Sequence, residues 1–282
     1  VKLMSVETII KSDGSRVPFD PEKLNKWAQF ASDNDVSWSD ITLKAIRKCY
    51  DGCSTKDIHQ AMIDVCVEQE DNKHLRMAGR LLIGIIYKEA HGGYSNIPTL
   101  TEFYKDMVQR NLWTSMDYSD EELDFLNKHL DHSKNISELY SYTALKQMRD
   151  KYLGQDLISK QCYESPQFMF MGCAMQAMEQ QPKERRLEDI VKTYEYLSDL
   201  KINLSTPMLV NLRTPMKGLA SCCVYTAGDT APSLSVGDHI AYMMTCASAG
   251  IGSHLLTRSK GDPVRQGAVV HQGKLPYYKV IQ

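Results

Sequence analysis

The sequence predicts an α/β protein that is mostly helical, and three observations carry that expectation. Apolar residues recur at 3.6-residue spacing through most of the stretch from Pro21 to Leu200. A short hairpin signal precedes this helical stretch. After Lys201 the texture changes to short β-like runs, broken by Pro and Gly, around a single further helix. The length, 282 residues, suffices for one large domain or two ordinary ones.

The elements follow in order. "ETIIKSDGSRVPF" places two β-like runs around Ser12-Asp13-Gly14, a hairpin. Asp20 and Pro21 then read as N-cap and first residue of a helix whose apolar positions are Leu24, Trp27, Ala28 and Ala31. A second helix starts near Ser39, with Ile41, Ala45, Ile46 and Cys49 on its inner side. Ser54-x-x-Asp57 is a capping-box variant that opens a third. The fourth runs through Leu75, Ala78, Leu82, Ile85 and Ile86 and stops at Gly92. Five further helical segments follow between Pro98 and Leu200. The methionines of Met169–Met178 are read as core filler. Beyond Lys201, "INLSTPMLVNLRTPM" and "ASCCVYTA" read as β-like. A helix is expected from Pro232 to Ala249, then a turn at Gly250-Ile251-Gly252, then β character to Gln282. The last region holds too few strands to close a barrel. The expected boundaries are therefore 1–93, 94–200 and an incomplete 201–282.

Composition excludes several function classes. With 33 basic and 35 acidic residues, no field for nucleic acid or a membrane surface is implied. No apolar run reaches the length of a bilayer span. The eight cysteines are scattered, with no secretory signal before them, which points to a reducing, cytoplasmic setting. Cys49, Cys53 and His59 make at most half a zinc site, so no metal is expected. There is no internal repeat, P-loop or dinucleotide fingerprint.

Cys222 and Cys223 stand side by side. Neighbouring Cα atoms lie about 3.8 Å apart, too close for an ordinary disulfide. On a strand the two side chains face opposite ways, so one can face a site while the other packs away. Two buried thiols in a core strand is the plainer reading of the spacing.

"LSTPMLVNLRTPMKGLASCCVYTAGD" resembles a signature of the large subunit of class I (aerobic) ribonucleotide reductases, in ungapped register from Leu204 to Asp229. "KYL…YESPQF", "AGIG…GDPVR" and "HQGKLPYYK" also fit that family. "DGCSTKDIH" and "AGRLLI…YKEA" resemble its N-terminal ATP-cone. The resemblance implies an ATP-cone of a hairpin plus four helices, a helical domain, and the first strands and helices of a ten-stranded α/β barrel. It implies reduction of ribonucleoside diphosphates by thiyl-radical chemistry, with Cys222 as one of two reducing thiols. A one-residue slip would choose Cys223 but would break the register to Gly228-Asp229. Thr206 and Ser221 match substrate-binding positions. Asp229, Arg258 and Val264 match the effector site. Lys11, Lys23, Thr55, His59 and Lys88 match the cone's nucleotide contacts, with the capped start of the third helix as a further anion site. Ser12 and Val17 stand where the family has Arg and Glu, which puts the sign of the ATP/dATP response in question; Asp20 replaces a common Asn and is equally a plain N-cap. Cys246 is given no role.

The family's radical cysteine loop, second redox cysteine, tyrosine relay and tail cysteine pair find no match here. The implied partners are a complementing C-terminal large-subunit chain, as in a split bacteriophage-type subunit, or else the remainder of a chain from which this piece is excised. A small subunit carrying a di-iron tyrosyl radical, thioredoxin or glutaredoxin, and the diphosphate substrate complete the set. "HIAYMMTCA" is apolar enough for a homodimer interface. The alternatives are a non-catalytic nucleotide-binding regulatory module and, more weakly, a glycyl-radical (class III) relative.

Overall fold

A computed structural model describes residues 6–280 apart from Ser12, Lys217 and Ser248. The Ser12 substitution therefore lies outside the described residues. The chain divides into two units, residues 1–203 and 204–282.

The first unit opens with β1 (Thr8–Ile10) and β2 (Arg16–Pro18), antiparallel with Ile9 opposite Val17. Asp13 Oδ1 accepts from the backbone N–H and hydroxyl of Ser15 and closes the turn. Asp51 ties the hairpin down, accepting from Thr8 N and Arg16 Nη2 at 2.7 and 2.9 Å. Helix α1 (Pro21–Ser32) starts as expected, with Asp20 accepting from Glu22 N. After α2 (Trp38–Lys48), the capping box of Ser54 and Asp57 opens α3 (Thr55–Val67). Helix α4 (Asn72–His91) ends at Gly92, whose φ of 77° is the left-handed conformation glycine adopts without a Cβ penalty.

α4 is buried on more sides than one stripe predicts. Met77, Ala78, Leu81, Leu82, Ile83, Ile86 and Tyr87 are all buried. It packs on α1 and α3 and also on α7 (Tyr142–Gln147). The remaining helices of the unit are α5 (Leu100–Gln109), α6 (Asp120–Asn127), α8 (Pro166–Met178) and α9 (Lys183–Ser198). Capping boxes Thr99/Glu102 and Ser119/Glu122 open α5 and α6. The expected helix through Tyr152 is α7 continued by a wider π-helical turn, Met148–Tyr152. α8 is the centre of this half: Met169, Met171 and Met175 are buried, as core filler should be.

The second unit contains α10 (Thr206–Asn211), β3 (Cys222–Gly228), α11 (Ala231–Cys246), β4 (Gly250–Leu256), β5 (Pro263–Val264), β6 (Val269–Val270) and α12 (Leu275–Val280). β3 and β4 pair in parallel, Cys222 opposite Gly250 through Gly228 opposite Leu256, and α11 is the crossover. α11 packs on one face of the pair, around buried Tyr225, Ala227, Ala241 and Leu255. β5 and β6 form a short antiparallel pair.

Three expectations for this unit are corrected. "LSTPMLVN" is not β-like: Ser205, Thr206 and Pro207 open a helix, with the proline in the first turn, where a missing N–H has no intrahelical partner. Gly250-Ile251-Gly252 is not a turn but the start of β4, docked by Gly250 N donating to Ser221 O at 2.8 Å. "LPYYKV" is helix α12, again with a proline in its first turn, despite its aromatic and β-branched content. The expected start of a barrel is not shown: the strands of this unit form two separate two-stranded sheets among the described residues, one of them the parallel β3–β4 pair with its crossover helix.

Candidate functional site

Strand β3 separates its two cysteines by the alternation of a pleated strand. Cys223, Tyr225 and Ala227 turn toward α11, and Cys223 Sγ lies 3.6 Å from Met244 Sδ. Cys222, Val224 and Thr226 project from the other face, which no described element of this unit covers, and Val224 is 80% exposed. Across the ladder Gly250 and Gly252 add no side chains to that face. A Cβ built on Gly250 would lie 3.9 Å from Cys222 Sγ. Ser221 Oγ is 3.8 Å from the same sulfur. The arrangement presents one free thiol with a hydroxyl beside it and stores the other against a thioether. Thr206 is exposed on α10, a separate element.

At the far end of β3 the structure brings Asp229 and Arg258, two of the three expected effector residues, into contact. Arg258 Nε donates to Asp229 Oδ2 at 2.5 Å, and its Nη1 donates to Pro263 O at 3.0 Å, next to Val264. The Arg258 hydrogen bond holds the Asp229 carboxyl below the usual carboxylate range, aided by the charges of Arg258 and His271. Asp229 is therefore ionised at neutral pH, and Arg258 keeps donors for an added anion.

In the first unit, the end of β1, the start of α3 and the sides of α1 and α4 come together. Ile10 N donates to Cys53 O, and Thr55 Oγ1 donates to Ile10 O at 3.3 Å, so the hairpin end carrying Lys11 sits at the start of α3. One turn along α3, the His59 ring lies 4.2 Å from the indole of Trp27 on α1. Burial, and then the nearby Lys88 charge, push the His59 imidazole down to about 4, so it is neutral at pH 7. Lys11, Lys23 and Lys88 are exposed around this half-buried pair. The N–H groups at the α3 start are partly satisfied by the Ser54–Asp57 box, which adds a carboxylate there. Positive charge at this site is therefore carried by the exposed lysines, with the neutral aromatic surface of Trp27 and His59 between them. Val17, at the centre of β2, offers no carboxylate.

In the sequence Trp27 reads as one more apolar position of α1, and its contact with Gly84 is visible only in the structure. The signal a sequence carries, a glycine inside a long helix, marks a close approach without naming its partner. Among the described residues no group of three His, Cys, Asp or Glu side chains is placed to hold a metal ion. Cys49 Sγ donates to Ala45 O, and the His59 ring lies against Trp27.

Comparison with known proteins gives two family matches. Residues 7–83 match the ATP cone domain, and residues 138–217 match the ribonucleotide reductase all-alpha domain. The chain carries an ATP cone and a ribonucleotide reductase all-alpha domain. Relatives extend the match beyond those two domains. Ribonucleoside-diphosphate reductase 1 subunit alpha of Escherichia coli is 30% identical over 283 residues, covering 97% of this chain and 37% of the relative. The alpha subunit of Haemophilus influenzae is 30% identical with the same coverage. That of Enterobacteria phage T4 is 29% identical over 296 residues, 99% of this chain and 38% of the relative. The chain thus spans little more than a third of the length of these ribonucleotide reductase subunits. The cluster of Lys11, Thr55 and His59 lies inside the ATP-cone match. No helix among the described residues is long and apolar enough to cross a membrane.

Proposed function

We propose that this chain is the N-terminal part of the large subunit of a class I ribonucleoside-diphosphate reductase: cone at 1–93, helical domain at 94–200, and the first barrel strands at 201–282. The observation that supports it most is Cys222, an exposed thiol on the open face of a parallel strand pair, with Ser221 beside it. In the reaction, the ribose 2′-hydroxyl leaves as water while two thiols give up hydrogen and become a disulfide. Cys222 is one of those thiols, and the second comes from the rest of the large subunit. Thioredoxin or glutaredoxin resets the disulfide by thiol exchange. The initiating radical is supplied by the di-iron tyrosyl centre of the small subunit.

In this reading Thr206 and Ser221 hold substrate by hydrogen bonds, and Asp229, Arg258 and Val264 take the specificity effector. The cone takes ATP or a deoxynucleotide through Lys11, Lys23, Thr55, His59 and Lys88. The exposed stripe of Val236, Tyr242 and Met243 on α11 is where two assembled large subunits meet. The setting is cytoplasmic.

The test is reconstitution. The chain alone turns over no CDP; mixed with the remaining large-subunit segment and the small subunit, it does. Cys222→Ser then abolishes turnover while assembly, followed by sedimentation, is unchanged. Unaltered turnover of that variant with a dithiol reductant would instead make the chain a non-catalytic nucleotide-binding module.

A further inference from the structure

Asn211, the last residue of α10, is half-buried, and its side chain reaches forward along the chain. Its Nδ2 donates to Gly218 O at 3.0 Å, seven positions on. Its backbone carbonyl accepts from Thr214 N at 2.8 Å and from Thr214 Oγ1 at 2.9 Å, and Met216 N donates to Thr214 Oγ1 at 3.3 Å. One residue thus holds both ends of the bend that leads from α10 toward β3. The carbonyl it holds belongs to a glycine with a φ of 103°, a conformation side chains disfavour. Three residues later Ser221 is fixed from the other side, its carbonyl accepting from Gly250 N at 2.8 Å. Gly218, Leu219 and Ala220 are exposed, so hydrogen bonds rather than burial set the path into Ser221 and Cys222.

We propose that Asn211 is a positioning residue of the reductive site, tying the entry to β3, with Ser221 and Cys222, to the helix that carries Thr206. The inference rests on the reading of Cys222 as a reducing thiol and of Thr206 and Ser221 as substrate contacts, and it adds the residue that holds them at a fixed spacing. Thr206 and Asn211 are the two ends of one six-residue helix. The Asn211–Gly218 bond therefore relates one substrate contact to the thiol through a single rigid element. A thiol that gives up hydrogen must stand in near contact with the ribose, and a misplacement of about 1 Å costs a reaction about a hundredfold. The bond needs a donor. Asn211→Asp keeps the shape of the side chain, but its carboxylate only accepts and would face the Gly218 carbonyl with like charge.

The test uses this chain reconstituted with the remaining large-subunit segment and the small subunit, with CDP as substrate. Asn211→Asp and Asn211→Ala are expected to lower kcat at least about tenfold and to leave KM within about threefold, because Thr206 still holds the substrate while the thiol drifts. Gly218→Ala, which strains the other end of the same bond, repeats the loss. Hydrogen exchange on the full-length chain gives a second readout. The amides of Leu219 to Ser221 exchange faster in the Asn211 variants, while those of α11 and the melting temperature are unchanged. Wild-type turnover by Asn211→Asp overturns the inference and leaves the Cys222 reading standing. A fall in melting temperature or in assembly that accounts for all the lost turnover overturns it by making Asn211 a purely structural residue. A rise in KM at constant kcat overturns it by placing Asn211 among the substrate contacts. If the wild-type complex turns over no CDP, or Cys222→Ser retains turnover, the reading of the site itself fails, and this inference fails with it.

Discussion

The Trp113 indole lies so close over Gly172 that a Cβ there would come 2.5 Å from its Cη2. The ring is fully buried, and its Nε1 donates to Glu164 Oε2 at 3.1 Å. An added methyl must push either the ring or α8. Gly172→Ala should therefore lower stability by about 1–3 kcal/mol, the usual cost of overpacking, measured by denaturant unfolding. Titration gives a second expectation at this scale. Burial pushes His91 and His132 down to about 4 from an ordinary 6.5. Their neutral forms are held by Ser165 Oγ on His91 Nε2 and by the Tyr87 hydroxyl on His132 Nδ1. Between pH 6.5 and 4 the unfolded chain binds protons that the folded chain does not. Their contribution is thus complete above about 6.5 and is lost as pH falls toward 4, on the order of 1–3 kcal/mol for each ring. Thermal melts over this window should show the loss, and His132→Gln should flatten it. Local chemistry of this kind was partly legible in the sequence. Asp20-Pro21 and Ser54-x-x-Asp57 act on neighbours two or three residues away, and both were read correctly. The pairing of Trp113 with Gly172 spans nearly sixty positions, and nothing in the sequence announces it.

Helices were legible where a single stripe is buried, as in α1 with Leu24, Ala28 and Ala31, and less so where a helix is buried on several sides. The α4 stripe was read as a single face because period alone cannot show a helix packed on α1, α3 and α7 together. Short elements failed for another reason. α10 and α12 have six residues each, too few for a period, so proline in the first turn was the better guide. β4 was missed because glycine, a turn signal in isolation, is tolerated in a strand whose neighbour brings a large side chain close. α11 allows a prediction at this scale. Its inner face holds Gly237 and Ala241 against β3, and its outer face exposes Val236, Tyr242 and Met243. The double variant Tyr242→Glu, Met243→Glu puts charge on the outer stripe without touching the inner one. Sedimentation should show self-association of the assembled large subunit weakened at least about tenfold, with the melting temperature of the chain unchanged; unaltered association removes α11 from the interface.

The two units differ in how much core they own. Within residues 1–203, α3, α4 and α8 contribute long runs of fully buried side chains. The β3–β4–α11 layer rests on four buried residues, Tyr225, Ala227, Ala241 and Leu255. A core of that size seldom sustains independent folding. Residues 1–203 expressed alone should unfold cooperatively at nearly the temperature of the full chain. Residues 204–282 alone should show rapid amide exchange throughout β3 and β4. Slow exchange in that isolated segment would refute the estimate.

The alternation along β3 sets a parity rule for changes in its length. With Tyr225 fixed beneath α11, one residue inserted between Cys223 and Tyr225 would trade the sulfur on display for the one in storage. Two inserted residues would restore the original choice but carry that sulfur about 7 Å outward, one full pleat. Drift in this strand is thus confined to substitution, and the neighbouring thiols stay distinguishable by their place in the count alone.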